Sequence, residues 1–514
     1  MNKLPNIHWR QSFAESLSIV CISILFIFLV AMVIFISYQG GRHFVPANVH
    51  LVTIKNTSGV AERHFQPTSS TATALENILK KRFSKQFERQ PSLIPVVSVE
   101  NRHDVIQIDS LGGNVYFGDF VELISPLENN VALEQLDNLL VTTQILNSEL
   151  NEIQSQKLMP LHRAIAKMYA EKVGENSPAL EKAYAEFYRW QSYADSIGKQ
   201  LSDYKIALLD ANGELFHVEL STVRDLTQPN KLGGIDTAIM VVSNIWQFLS
   251  NEPKQAATAG GVFPAIFGTL LMVLLMTIVV APFGMIAAIY LHEYAPANRT
   301  TELIRIGISN MAAVPSVVYG VFGLGFFVYT LGGSIDQLLY SNNLPSPTFG
   351  TPGLLWASLT MGLLTLPVVI VSAEEGLRRV PSGLREGSYA LGATKLETIQ
   401  KVVLPMASPG MLTGIILAIA RAAGEVAPLI LVGAVKFAPN LPIDSEFPYV
   451  HLERQFMHLG VFIYDGAFHN QIESPSSSMM FASCMLLLLM VFLLNISAIL
   501  FRKRLRDKYE RSHM

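Results

Sequence analysis

Two cysteines in 514 residues leave no room for a disulfide framework, so cysteine usage is silent on redox compartment. Both Cys21 and Cys484 fall inside apolar runs, where buried thiols are expected. Charge is scarce as well: Asp, Glu, Lys and Arg make up 15% of the chain against 50% hydrophobic residues, and the mean hydropathy is +0.34. A formal net charge of −3 gives no electrostatic footprint for nucleic acid. The common chemical motifs are missing too. His292-Glu293 begins a zinc-protease pattern, but Pro296 holds the place of its second histidine. Gly387 and Gly392 are spaced as in a phosphate-binding loop, but Ala393 stands where the lysine is required. No metal or cofactor is therefore expected, and ATP-driven work needs a second subunit. There is no internal repeat of 20–50 residues and no low-complexity tract.

What the chain has is long apolar runs. Its composition is too apolar for a soluble protein and too dilute for one wholly in a membrane, which implies spans plus an aqueous domain. Six segments reach the roughly twenty residues that cross hydrocarbon, near 17–37, 263–291, 306–331, 353–373, 406–434 and 479–500. Lys3 and Arg10 precede the first, but its run is long and no small-x-small cleavage site follows, so it reads as a retained anchor. Basic residues set the orientation. Arg502, Lys503, Arg504, Arg506, Lys508 and Arg511 crowd the basic tail 502–514, and Arg378, Arg379, Arg385, Lys395 and Lys401 follow the fourth span. The loops 332–352 and 435–478 hold only Lys436 and Arg454. Both termini, including the tail 1–16, are expected in the cytoplasm.

Residues 38–258 then form an extracytoplasmic insertion with 20 Lys and Arg against 25 Asp and Glu. From about 128 to 170, Leu136, Leu139, Leu146, Leu150, Ile153, Leu161, Ile165 and Met168 recur at helical steps. Leu180, Tyr184, Phe187, Ile197 and Leu201 do the same over about 178–203, with Gly174 and Pro178 at the join. Short β-rich runs flank this helical hairpin: Val49–Ile54, Val105–Ile108, Val115–Ile124, and Lys205–Leu209 with Glu214–Leu220 about a turn at Asp210–Gly213. An α+β domain is expected, its apolar stripes serving as core.

The remainder, 259–501, is a five-span unit punctuated by helix breakers: Pro282, Gly284, Pro315, Gly320, Gly323, Gly325, Gly362, Pro367, Gly410 and Gly414. Broken helices along a polar path and close helix packing both suit this pattern. Within it, 386–405 is polar, carries both charge signs and lies between apolar segments. It reads as a short helix, a turn at Gly392 and a second amphipathic helix ending at Leu404-Pro405, a docking knob for a soluble partner. Glu374, Glu375, Arg378 and Arg379 read as a solvated ion-pair face at the start of this coupling loop, 374–405. In the fifth span Arg421 falls near mid-depth, with Glu425 one turn on and on the same helix face. A permanent guanidinium there suits bidentate recognition of a tetrahedral oxyanion, and an ion pair that only fixes packing is the other reading.

The 386–405 stretch resembles the coupling loop of the permease subunits of binding-protein-dependent ABC importers. Their pattern is Glu-Ala-Ala, three residues, Gly, nine residues, Ile, any residue, Leu-Pro. Glu386, Gly392, Leu404 and Pro405 stand at the matching spacings, Val402 replaces isoleucine, and Gly387 and Ser388 replace the alanines. From Glu374 to Gly433 the wording is similar to the phosphate-specific importer family. Pro409-Gly-Met-Leu-Thr-Gly414 and Gly424-Glu-Val-Ala-Pro-Leu429 resemble its A permease subunit rather than the partner. The resemblance covers about 262–505, and the insertion departs from the family's compact form.

The resemblance implies an all-α polytopic membrane protein with six transmembrane helices in the type I ABC importer permease fold, to which the sequence adds the large α+β insertion. It implies a transport subunit, not an enzyme, in a bacterial inner membrane. The implied partners are a second permease, a cytoplasmic ABC ATPase dimer that hydrolyses the ATP, a periplasmic phosphate-binding protein and membrane lipid, and the cargo is phosphate. Arg421 and Glu425 would line its path, and Glu386, Gly387, Ser388, Gly392, Val402, Leu404 and Pro405 would meet the ATPase. A permease for sulfate or molybdate is the nearest alternative. A membrane receptor or sensor is a more distant one, since no output domain follows the short basic tail.

Overall fold

The computed structural model describes residues 5–55, 61–68, 98–102, 104–110, 115–126, 129–131, 136–170, 177–253, 260–341, 346–444, 448–468 and 474–511. The chain is mostly helical and divides into two units, Val45–Ser243 and a second made of Met1–Phe44 with Asn244–Met514.

The Val45–Ser243 unit carries two antiparallel sheets. In one, β1 (Asn48–Lys55) pairs with β2 (Ala61–Thr68) on one edge and β3 (Ser98–Asn101) on the other. The larger is built from β4 (Val105–Ser110), β5 (Val115–Ile124), β6 (Asn129–Val131), β7 (Lys205–Leu209), β8 (Leu215–Glu219) and β9 (Val223–Thr227), in the order β8-β7-β5-β4-β9 with β6 on β5. Alternation places Ile106, Ile108, Leu123, Ile206 and Leu208 together as its core. Gly213 takes φ +86° in the β7–β8 turn, a conformation that glycine adopts without penalty.

The helical hairpin spans Leu136–Glu152, a π-helical turn Ile153–Leu158, Met159–Ala170 and the returning helix Pro178–Ser202. Residues 129–131 are strand, so the helix begins later than its periodicity predicts, and Gly174 lies outside the described residues. The π turn explains a slip in the apolar stripe. Ile153 and Leu158 are five residues apart and both buried against Ala194, Ile197 and Leu201, a spacing that an i→i+5 turn brings to one face.

In the second unit, six helices among the described residues are long and apolar enough to cross a membrane: Ser16–Gly41, Phe263–Tyr294, Ser316–Leu339, Leu354–Arg378, Lys395–Gly424 and Met479–Arg504. They are numbered first to sixth below. The fourth is central, with 67% of its apolar window buried in protein against 0% for the first. Met276, Val280, Met361, Leu364, Val369, Ala418 and Ala422 join the second, fourth and fifth spans in one core. The first span rests on the sixth at Gly40, beside Phe481 and Ala482. Cys21 is therefore exposed rather than buried in protein, and Cys484 is half-buried.

Two span boundaries differ from the hydropathy reading. Arg299–Met311 is a separate amphipathic helix, because Pro315 lacks an amide hydrogen and the chain turns before Ser316. The fifth span stops at Gly424, and Ala427–Val432 resumes as a short helix. Pro282 and Pro367, by contrast, sit inside continuous helices. Several glycines serve packing: a β-carbon on Gly410 would stand 2.6 Å from the Gly376 Cα, and one on Gly284 2.6 Å from the Val369 side chain. Small residues let helices approach closely where lipid supplies no hydrophobic drive to associate.

Candidate coupling segment and polar pair

The 386–405 stretch is built from both ends. Pro381 ends the fourth span's helical course and caps the helix Ser382–Ala390, since proline disfavours helix before it and is tolerated at helix starts. Gly392 then takes φ +85° with open space around it, so conformation rather than room demands glycine there. The Gly392 amide donates to the Tyr389 carbonyl at 2.9 Å. Thr394 opens the next helix with a capping box: its amide donates to Glu397 Oε2 at 2.9 Å while its hydroxyl accepts from the Glu397 amide. The Ser388 and Thr398 hydroxyls lie 2.8 Å apart and bind the two helices together.

Beyond Thr398 the chain departs from the sequence expectation. The second helix does not end at Leu404-Pro405. It widens into a π turn, Ile399–Val403, and runs on as Leu404–Gly424. The wider turn accommodates a proline that has no amide to donate. The buried anchors are Ile399 and Val403, whereas Val402, Leu404 and Pro405 are half-buried.

The motif thus divides. Glu386, Gly387 and Gly392 face outward with the apolar Leu384, Tyr389 and Leu396, and Leu391 stands at the tip, 91% exposed. Ser388, Val402, Leu404 and Pro405 lie against the protein.

One ion pair fixes this segment. Arg385 meets Glu293 at 3.0 Å through Nη2 and 3.3 Å through Nε, and also donates to the Val380 and Leu377 carbonyls at 2.7 and 3.1 Å. The Glu293 side chain is only 8% exposed. Lys395 Nζ donates to the Glu293 carbonyl and lies 4.6 Å above the Tyr294 ring. Glu293 was noticed in the sequence only as part of a failed zinc motif, and no local spacing links it to Arg385, 92 residues away.

Neighbouring charges correct a second expectation. Glu374 is buried rather than solvated, with Arg305 of helix Arg299–Met311 at 2.8 Å and Arg378 at 4.0 Å. Glu375 and Arg378 do form an exposed pair at 3.2 Å.

The second constellation lies where the fifth span breaks. Arg421 occupies the last turn of Leu404–Gly424, where helix carbonyls favour a cation. Glu425 is off the helix, in extended conformation, yet its Oε1 lies 3.5 Å from Arg421 Nε. The two therefore meet across a helix end and not along one face. Pro428 caused the difference in reading: it begins the next helix, Ala427–Val432, and packs against Gly320 of the third span. Arg421 carries its charge close to Tyr319, whose hydroxyl donates to the Met311 carbonyl at 2.8 Å across the other break, before Ser316. The Arg421 side chain remains 35% exposed, with most of its donors uncommitted among the described residues.

Residues 280–508, which contain both constellations, match the family described as binding-protein-dependent transport system inner membrane component. The phosphate transport system permease protein PstA of Yersinia pestis is 32% identical over 259 residues, 50% of this chain and 78% of its own length. PstA 1 of Mycobacterium tuberculosis is 36% identical over 185 residues, and PstA of Mycobacterium leprae 40% over 178, covering 36% and 34% of this chain. Those alignments span 55% and 52% of the mycobacterial proteins, about half the length of the first curated relatives the chain matches.

Proposed function

The chain belongs to the family of binding-protein-dependent transport system inner membrane components, and from that premise we propose that it is the permease subunit of an ATP-driven importer of inorganic phosphate. It forms the path with a second permease in a bacterial inner membrane, both termini in the cytoplasm, and the insertion outside. A periplasmic phosphate-binding protein delivers the anion and a cytoplasmic ABC ATPase dimer drives transport.

The observation that carries this reading is the exposed tip at Leu391, joined rigidly to three spans. Through Arg385 and Lys395 the segment is tied to Glu293 and Tyr294 at the end of the second span. Through the Leu377 and Val380 carbonyls it is tied to the end of the fourth, and through Ile399–Val403 it is continuous with the fifth. A push from an ATPase on Glu386, Gly392 and their apolar neighbours therefore moves all three together. A largely desolvated ion pair resists such a load because separating it leaves a poorly solvated charge without its partner.

Phosphate is favoured over sulfate and molybdate by the names of the relatives, since an arginine serves any of these oxyanions. Arg421 offers free donors at a helix break, and Glu425 holds the guanidinium without saturating it.

The test is uptake of radiolabelled phosphate at micromolar concentration by cells lacking the gene and complemented with the wild-type chain or Glu386→Lys, with membrane abundance matched. Wild type is expected to restore uptake, and Glu386→Lys to abolish it. Uptake of sulfate or molybdate but not phosphate would overturn the substrate assignment.

A further inference from the structure

Outside the two constellations, a cavity of about 400 Å³ opens between the ends of the fourth, fifth and sixth spans. Its walls carry Arg379, Arg502 and Lys503, with Thr413, Gly410 and the exposed Ile499 completing the rim. Arg502 Nη1 donates to the Thr413 hydroxyl at 2.9 Å, and that hydroxyl donates in turn to the Pro409 carbonyl at 2.9 Å. Thr413 thus holds one arm of the guanidinium and leaves the other donors free. None of the three cations has a carboxylate partner among the described residues. This is unlike the adjacent cations Arg305 and Arg378, which are paired to Glu374 and Glu375.

The cavity exists because of close packing. Gly376 and Gly410 let the fourth and fifth helices meet backbone to backbone, which brings Arg379 to the wall that Thr413 lines. A basic cluster at a span end follows from topology alone, but topology does not gather around one concavity three cations that lack a carboxylate partner among the described residues. Planar guanidinium groups and an ammonium converging on a small space match the oxygens of a phosphate group.

We propose that this cavity binds a phosphate-bearing anion, an anionic phospholipid headgroup or free inorganic phosphate, through Arg379, Arg502 and Lys503. It is separate from the transport path and does not depend on the transport reading.

The full-length chain, purified in detergent, is titrated with phosphatidylglycerol and, separately, phosphatidylcholine, with bound lipid read by native mass spectrometry. Inorganic phosphate binding is read by equilibrium dialysis in an Arg421→Gln background, which removes the path's own contribution. Each basic side chain near an anionic headgroup strengthens binding about fivefold, so Arg379→Gln/Arg502→Gln/Lys503→Gln weakens it on the order of a hundredfold. The single variants Arg379→Gln and Lys503→Gln lose about fivefold each, which keeps the test open if the triple variant unfolds. A charge-matched control carries Arg299→Gln, Lys401→Gln and Arg504→Gln.

Selective loss of phosphatidylglycerol binding in the cavity variants identifies a lipid site. Selective loss of inorganic phosphate identifies a free-anion site. Retention of both ligands within twofold by the cavity variants, or an equal loss by the control, overturns the proposal.

Discussion

The Arg385–Glu293 and Arg421–Glu425 pairs have the same chemistry but opposite degrees of satisfaction. Arg385 makes contacts with Glu293 and two backbone carbonyls, and its partner's side chain is only 8% exposed. Arg421 has a single ion-pair contact among the described residues, at 3.5 Å on a partner outside its helix, and stays a third exposed. A guanidinium with four of its five donors committed is a joint. One with donors to spare, near a tyrosine and two helix breaks, is equipped to receive an anion. We propose that satisfaction, more than the presence of a charge pair, separates what holds this protein from what operates in it.

The sharpest way to break that distinction is to remove each pair and compare stability. Glu293→Gln or Arg385→Gln leaves a part-buried charge without its counter-ion and is expected to cost about 1.5–3 kcal/mol, seen as a lowered thermal midpoint of the purified chain together with lost uptake. An unchanged midpoint would mean the joint bears no load. Next in size is Gly392→Val. Its site is spacious, so only the left-handed backbone is penalised, by about 1–2 kcal/mol, and faster hydrogen exchange confined to 386–398 is expected. Exchange unchanged there would show that the turn adopts another conformation at no cost.

A third cluster sharpens the comparison through pH. His451 is buried between Glu453 Oε1 and Asp444 Oδ1, each 3.0 Å from a ring nitrogen, with Arg454 also on Asp444. Only the protonated ring donates from both nitrogens. Burial works against that charge, but the two carboxylates outweigh it and hold the pKa above the usual 6.5, despite opposition from Arg454. Stabilisation from a raised pKa is complete below about pH 6.5 and is lost as pH climbs through the higher, folded value. Amide protection over 441–444 and 448–454, corrected for intrinsic exchange, is expected to fall as pH rises above about 6.5. Protection that rises over this range would reverse the assignment of charge. The smallest stability effect belongs to Arg421→Gln, within about 1 kcal/mol, because its pair is partly solvated. A larger drop in thermal midpoint would make Arg421 another joint.

Much of this was legible in the sequence. Short β-rich runs foretold β1, β4, β5, β7 and β8, and apolar length foretold the six spans, since both patterns are local. Chain boundaries were not, where a proline or a π turn overrode hydropathy, at Ser316, Gly424 and Ile399–Val403. β2, with its Gln66-Pro67, and β3, only four residues long, lacked an apolar alternation to betray them. The spacing of Glu386, Gly392, Leu404 and Pro405 located the coupling segment, but its fastening to Glu293 and the burial of Glu374 by Arg305 depend on distant helices. Val402, at the isoleucine position of the motif, drew attention, while the neighbours Ile399 and Val403 do the packing. Arg421 and Glu425 were found as a pair, but only the break at Gly424 explains how loosely they meet.

The most direct measurement is the initial rate of radiolabelled phosphate uptake by Arg421→Gln at membrane abundance and thermal midpoint equal to wild type. Loss of uptake from an intact protein is the predicted result and makes Arg421 part of the path. Uptake at the wild-type rate would contradict it, leaving the Arg421–Glu425 pair a packing feature.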